Sequence, residues 1–496
     1  MAENSRSSLT RLTDTALGGL NEAIKRPSYV RAALKPGIVH IGVGNFHRAH
    51  QAWYLHKLME QGLAHDWAIL GAGVRASDAA MRARLLAQDC LTTLIELDPN
   101  GSSAEVVGSM INYLPVEESN AVLIAAMSDP AIRIVSLTIT EGGYFQTSTG
   151  AFNADHPDVA HDVAHPNEPR TAFGAIVASL KARRMSGAGP FTVLSCDNLQ
   201  GNGDILRQTV VGLARLMDAD LANWIDQSAT FPNSMVDCIV PATGETELAL
   251  ARSFGVEDQA PVTHENFRQW VIEDAFCAGR PPLEQAGVTL TDDVHAYESM
   301  KIRILNGGHQ LLANAGEILA LPTIASCMDH SGVSAFFRKV QLEEILPHVK
   351  PVPGMEPDHY LSLIEQRFSN PKIHDTTRRV AFDGSSRHAG FLIPTIREAV
   401  EVGASVEGLA LAQALWARMC AGSREDGSTI EPNDPHWDVL TQTALSARDE
   451  PIAWLKQSYY GGLSETSRFT EAFDRWLRAL WQEGCDATLK AYVLGG

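Results

Sequence analysis

Apolar positions in the first half of the chain come in short unbroken runs, whereas in the second half they recur every three or four residues. Gly37-Ile-Val-His-Ile-Gly-Val-Gly44 reads as a buried strand running into glycines, and Phe46 to Glu60 as the helix that follows it. Trp67 to Val74 and the helix-like Asp78 to Gln88 repeat that order, and Ile132 to Leu137 and Phe191 to Ser195 add two further apolar runs. Continuous apolar strands separated by helical segments are the pattern of a parallel sheet buried on both faces. From about Asp292 the 3.6-residue period takes over, in Tyr297 to Leu319, Arg397 to Ala421 and Thr466 to Val493. The expected architecture is an α/β N-terminal domain with a parallel-rich sheet over residues 1–290 and a mainly α-helical C-terminal domain over 291–496.

Composition narrows the partners. The 496 residues are 45% hydrophobic and 20% charged, which is ordinary globular usage with ample material for a core. Forty basic against fifty-nine acidic residues leave a net charge of −19, which repels nucleic-acid backbones and anionic lipid surfaces. No uncharged apolar stretch approaches the roughly 20 residues of a membrane span, and the N-terminus lacks the apolar core of a signal peptide, so a cytoplasmic protein is expected. Seven scattered cysteines with no C-x-x-C spacing read as reduced packing residues. Walker, H-E-x-x-H and G-x-S-x-G motifs are absent.

Gly42-Val-Gly44-Asn45-Phe46-His47 carries the first two glycines of the G-x-G-x-x-G turn, with His47 in place of the third. Such a turn lets backbone N–H groups approach a pyrophosphate at a helix start, and here it follows an apolar strand and opens a helix, as that chemistry requires. Gly42, Gly44, Asn45 and Phe46 are therefore the expected cofactor-binding segment. Asp78, the first acid after the second strand, is expected on the ribose hydroxyls of NAD, although it comes later than the usual spacing of ~20 residues. Arg75 beside it suits the 2′-phosphate of NADP, so both cofactors stay open.

A second candidate lies in Tyr297-Glu-Ser-Met-Lys301-Ile-Arg-Ile-Leu-Asn306-Gly-Gly-His309. At about 100° per residue, with Lys301 at zero, Glu298 falls near 60°, His309 near 80° and Asn306 near 140°. The flanking Met300, Ile302, Ile304, Leu305, Leu311 and Leu312 make the helix too apolar for a wholly solvated face. An amine, an acid, an amide and an imidazole on one stripe can form a proton-transfer site. The Tyr297-x-x-x-Lys301 spacing also fits short-chain dehydrogenases, but about 250 residues separate it from the glycine turn, far more than in that family. His47, Arg48 and His50 have no cysteine or carboxylate partners at ligand spacing and read as packing or loop-shaping residues, so no metal is expected.

These segments, with Thr138-Ile-Thr-Glu-Gly-Gly-Tyr144, Ser195-Cys-Asp-Asn198, Asn202-Gly203, Met235-Val-Asp237, Glu265-Asn-Phe-Arg-Gln-Trp270, Arg379 and Asp383-Gly-Ser-Ser-Arg387, resemble the polyol-specific long-chain dehydrogenases of the mannitol dehydrogenase family. The resemblance spans nearly the whole chain. It implies a Rossmann-type N-terminal domain, a helical C-terminal domain, and metal-independent hydride transfer with NAD in the cleft between them. By the same resemblance Lys301 is the catalytic base, Asn198 and Asn306 hold the reacting oxygen, His309 positions substrate, and Glu298 carries the proton to solvent. Arg379 and Arg387 match substrate-binding positions, and Asp78 the acid that favours NAD. Two positions depart from the family pattern: Cys238 stands where a basic residue commonly follows Met-Val-Asp, and Arg387 where lysine is usual, which keeps charge but changes geometry.

The expected chemistry is removal of a proton from a secondary hydroxyl by neutral Lys301 as hydride leaves the same carbon. A lysine serving so at neutral pH requires a basicity depressed by desolvation and neighbouring cations. The partner is a small polyol or its ketose, in a monomer or small homo-oligomer. Thr138 to Tyr144 and Ser195 to Leu199 are most like the branch that interconverts D-mannitol and D-fructose. His47 to His56 and Lys301 to Asn306 resemble the D-arabinitol branch equally, and Phe267 to Trp270 the fructuronate reductases. A dinucleotide-binding sensor without catalysis is the alternative from another class.

Overall fold

The computed structural model describes residues 9–147 and 150–495, Glu141 by its backbone alone. The first eight residues of the polar lead lie outside the described residues. The chain forms two compact units, one ending at His295 and the other beginning at Ala296.

The first unit is built on a five-stranded, all-parallel sheet in the order Met110–Tyr113, Ala68–Ala72, Pro36–Ile41, Ile134–Leu137, Thr192–Ser195. The apolar runs become strands because both faces are covered. Val39, Ile41, Val135 and Leu137 enter a core with Phe173, Ile176 and Leu180 of helix Ala172–Ser186. Ile38 and Ile134, with the opposite parity, pack against Tyr54, Leu55 and Leu58 of helix Gln51–Glu60. The period of two thus divides each strand between two cores.

Three smaller sheets complete this unit among the described residues, and none was expected from the hydrophobic runs. One holds the antiparallel pair Thr92–Asp98 and Gly101–Val107 with Val262–Glu265 and Ile24–Lys25 at its edges. Another joins Ser234–Asp237, Gln269–Glu273 and Thr289–Thr291, and the last pairs Thr10–Arg11 with Val256–Glu257. The hairpin is tied to the helix above it by Glu105, which accepts from Trp53 Nε1 at 3.0 Å and pairs with Lys57. Burial pushes the Glu105 carboxyl up, but His56 and Lys57 together hold it down at about 2.

The second unit is helical, as expected, but its long periodic segments are interrupted. Arg397 to Ala421 resolves into Ile393–Glu401 and Glu407–Cys420, and Thr466 to Val493 into Ser467–Gln482 and Cys485–Leu494, with Gly484 at φ +87 between them. Hydrophobic periodicity runs across such breaks because both helices present their apolar stripe to the same core. Among the described residues no helix is long and apolar enough to cross a membrane. All seven cysteines are unpaired, and five of them are buried.

Both units bury neutral imidazoles. His40 and His388 are pushed down to about 3 by desolvation, and His264 to about 3 by desolvation and Arg268. The unfolded chain takes up a proton at each below the ordinary histidine value, whereas the folded chain does not, so their contribution is full above about pH 6.5 and falls as pH drops. Each such group costs up to about 1.4 kcal/mol per pH unit in that window. Urea unfolding is therefore expected to show a clearly lower midpoint at about pH 5 than at about pH 7.5; equal midpoints would show that the histidines titrate in the fold.

Candidate active site

The glycine turn sits at the carboxyl end of the central strand, the edge at which open parallel sheets bind ligands. Gly42 adopts φ +97, and a Cβ there would collide with Thr138 O, so both conformation and space demand glycine. Gly44 differs: its φ is negative, and a Cβ there would meet nothing within 4 Å. The protein itself does not require the second glycine. The space a side chain would fill lies before the helix start at Asn45, where the first N–H groups have no intrahelical acceptor.

The expected helix Phe46 to Glu60 is two helices, Asn45–Ala49 and Gln51–Glu60, broken at His50 with φ −118 and ψ −92. The turn also lacks the third glycine of the motif. His47 occupies that position and stacks its ring flat on His40 of the strand, centroids 3.4 Å apart, where a glycine would have let the helix lie against the sheet. His50 then turns to Gln269 O at 3.0 Å and packs on Phe46. The side chain of Asn45 is engaged within the protein: its amide donates to Pro241 O at 3.0 Å and Thr243 Oγ1 at 2.9 Å, and its oxygen accepts from Arg48 at 2.7 Å.

Asp78 opens helix Asp78–Leu86 beyond the second strand and accepts from Arg75 N–H at 3.0 Å, packed so closely on Gly73 that a Cβ there would strike its carboxyl. Its late place in the sequence follows from the second helix running on to Glu60 before that strand begins. Near it, Val74, Ala76, Val116, Glu117, Glu118 and Arg170 line a recess of about 360 Å³. Sequence reasoning missed this recess because its lining comes from separate turns.

Asn198 follows the last strand of the sheet, and its neighbour Asp197 joins two of the sequence segments. Asp197, 8% exposed, accepts from Ile139 N–H at 3.0 Å, Thr140 N–H at 2.9 Å and the Tyr144 hydroxyl at 2.7 Å. These bonds hold Thr140 at φ 69 and ψ 159, a conformation that a β-branched residue adopts only under constraint. Asn202 fastens the other side, its amide donating to Asp197 O at 3.0 Å and Ser234 O at 2.8 Å. Gly203 must be small because a Cβ would lie 2.5 Å from Phe231 O. The acid and the two asparagines share one short stretch, and only the hydrogen bonds show that Asp197 organises the turn that presents Asn198.

In the second unit, Glu298, Lys301, Asn306 and His309 lie on one run of helix, but not on a uniform one. Residues Lys301–Asn306 form a π-helix between α-helices Val294–Met300 and Gly307–Ile318. An i→i+5 ladder takes more residues per turn, so Asn306, five residues on, comes closer to the face of Lys301 than the 140° of a regular α-helix. Gln341 braces this turn by donating to Ile304 O at 2.8 Å, and Gly308 is what admits it, since a Cβ there would lie 2.7 Å from the Gln341 amide. Glu298, Lys301 and Asn306 are all buried. The Tyr297 hydroxyl donates to Pro353 O at 3.2 Å, which commits it elsewhere than to Lys301 chemistry.

His309 stacks on Phe368 at 4.2 Å, with Nε2 3.7 Å from Asp375 Oδ2. Arg379, largely exposed, binds Asp375 Oδ1 through Nε at 2.8 Å. Arg387 reaches back to Val380 O at 2.5 Å and Arg379 O at 3.2 Å, closing the short helix Thr377–Ala381. Asp375 escaped sequence reasoning because it stands apart from every quoted segment.

Two family models match the chain: the mannitol dehydrogenase Rossmann domain over residues 36–285 and the mannitol dehydrogenase C-terminal domain over 293–481. The chain is 54% identical over 475 residues to a mannitol 2-dehydrogenase of Cereibacter sphaeroides, covering 96% of this chain and 100% of that one. It is 40% identical to a mannitol 2-dehydrogenase of Aspergillus terreus, covering 95% and 96%. Among solved structures, the Pseudomonas fluorescens mannitol 2-dehydrogenase in ternary complex with NAD and D-mannitol matches with TM-score 0.87 at 39% identity, covering 98% of this chain and 100% of that one. A substrate-free D-sorbitol dehydrogenase matches with TM-score 0.89 at 36% identity, covering 96% and 100%. With both domains matched and relatives this similar over almost their whole length, the chain belongs to the mannitol dehydrogenase family.

Proposed function

We propose that this chain is an NAD-dependent, metal-independent polyol dehydrogenase that interconverts D-mannitol and D-fructose. The observation that carries the reading is the π-turn that sets buried Lys301 and Asn306 on one face, with Glu298 and His309 on the same run of helix. The mannitol 2-dehydrogenases similar to it, one of them solved with NAD and D-mannitol, support the substrate and the cofactor. The residues present fit a dinucleotide. Gly42 is required by the fold, Gly44 leaves open space before a helix start, and Asp78 stands at the end of the second strand, where an acid can take ribose hydroxyls.

The bound nicotinamide supplies the hydride acceptor. Lys301, uncharged, takes the proton of the secondary hydroxyl, and Glu298 passes it on. Asn198 and Asn306 donate amide N–H groups to the oxygen as it gains alkoxide character, a contribution on the order of 3 kcal/mol for one well-placed donor. His309, Arg379 and Arg387 hold the remaining hydroxyls. Ketose reduction runs the same steps in reverse.

Across D-mannitol, D-sorbitol, D-arabinitol, D-fructose and D-fructuronate with NAD(H) and NADP(H), kcat/KM is expected to be highest for D-mannitol and D-fructose with NAD(H) and to survive EDTA. NADH binding without turnover on any of them would instead favour the sensor. Lys301→Ala is expected to lower kcat by at least about 100-fold, the scale of general base catalysis, with NADH affinity unchanged; near wild-type turnover would remove the lysine from the mechanism. Gly44→Ala is expected to keep the unfolding midpoint while weakening NADH at least tenfold in a fluorescence titration. Gly42→Ala should lose the fold itself.

A further inference from the structure

We propose that Asp375 is a positioning residue of the polyol site, its single carboxylate setting both the tautomer of His309 and the place of Arg379. The inference rests on the reading above, in which those two side chains touch the polyol.

The arrangement around the carboxylate is lopsided. A guanidinium ordinarily spans both oxygens of a carboxylate in two parallel bonds. Here Arg379 directs Nε at 2.8 Å and Nη2 at 2.6 Å to Oδ1 alone. Oδ2 is buried and, among the described residues, accepts no hydrogen bond, while His309 Nε2 stands 3.7 Å away. A buried carboxylate oxygen left without a donor is costly. The imidazole edge facing it carries the group that can answer it.

The neighbours fix the rest. Ile324 N–H donates to Asp375 O at 2.9 Å and Asp375 N–H to Ile373 O at 2.8 Å, which holds the acid's backbone. Phe368 stacks on the imidazole with an interplanar angle of 20°, which holds the ring's plane. Once plane and edge are set, a small shift of the ring brings Nε2–H onto Oδ2. A neutral imidazole that donates from Nε2 has its lone pair on Nδ1. His309 then accepts a hydrogen bond from its substrate and does not donate one. The matching group is a hydroxyl, which every carbon of a polyol next to the reacting one supplies. Burial pushes the Asp375 carboxyl up, and Arg379, Arg387 and His374 oppose that. The arginine that opposes the effect of burial on the acid is thus the one the acid holds in place.

The test compares KM for D-mannitol, kcat and NADH affinity in Asp375→Asn, His309→Ala and the double variant. Asp375→Asn is expected to raise KM at least tenfold, with kcat changed less than threefold and NADH affinity unchanged. The double variant should raise KM by less than the product of the two single effects. A rise in KM with His309→Ala but none with Asp375→Asn, or effects that multiply, would overturn the role of Asp375 while leaving the site reading intact. No change with His309→Ala would overturn the site reading and this inference with it. Should Asp375→Asn fail to fold, nitrogen-15 spectra of histidine-labelled wild type decide: the resonance lost in His309→Ala should report the Nε2–H tautomer, and an Nδ1–H tautomer overturns the proposal.

Discussion

Backbone groups at the carboxyl end of a parallel strand have left their ladder and are still buried, and each must find a partner. In this chain side chains supply them. Asp197 takes the N–H groups of Ile139 and Thr140, and Asn202 donates to Asp197 O. The second unit meets the same constraint where the π-turn departs from the α-helical ladder, and Gln341 answers Ile304 O. In both units the residues that close these gaps sit beside those proposed to do chemistry. Asn198 follows Asp197, and Asn306 lies two residues after the braced carbonyl.

Strain and support occur together for the same reason. Thr140 holds a positive φ only because a buried carboxylate grips its N–H and that of its neighbour, and the Tyr144 hydroxyl joins the same acid. Burial and Asp197 together raise the Tyr144 phenol well above its ordinary range, which favours the protonated form that donates to that acid. The turn carrying Asn198 is therefore fixed by charge-assisted bonds that a mobile loop would lack.

Much of the first unit was legible because a buried parallel strand has to be a continuous apolar run, and glycines that end such a run mark its carboxyl edge. The strands at Pro36, Ala68, Ile134 and Thr192 follow that rule. The hairpin Thr92–Val107 was not legible, since one of its strands is exposed over its first three residues and its apolar pattern is faint. The break at His50 and the π-turn at Lys301 were hidden for another reason. Periodicity reports which face is apolar, not which carbonyl each N–H bonds to. The stacking of His47 on His40 and the bracing of Ile304 by Gln341, which accompany the two irregularities, join residues far apart or read singly. Asp375 was missed because an acid two residues from an isoleucine looks like surface until its burial is known.

The two glycines of the turn answer to different demands, and this makes them a record. The backbone alone holds the first in place, so any descendant that still folds must keep it. The second is needed by nothing inside the protein and is held only by whatever occupies the space in front of it. A lineage that kept this architecture but abandoned its coenzyme would be free to drift at position 44 while position 42 stayed fixed, so the pair separates loss of use from loss of structure.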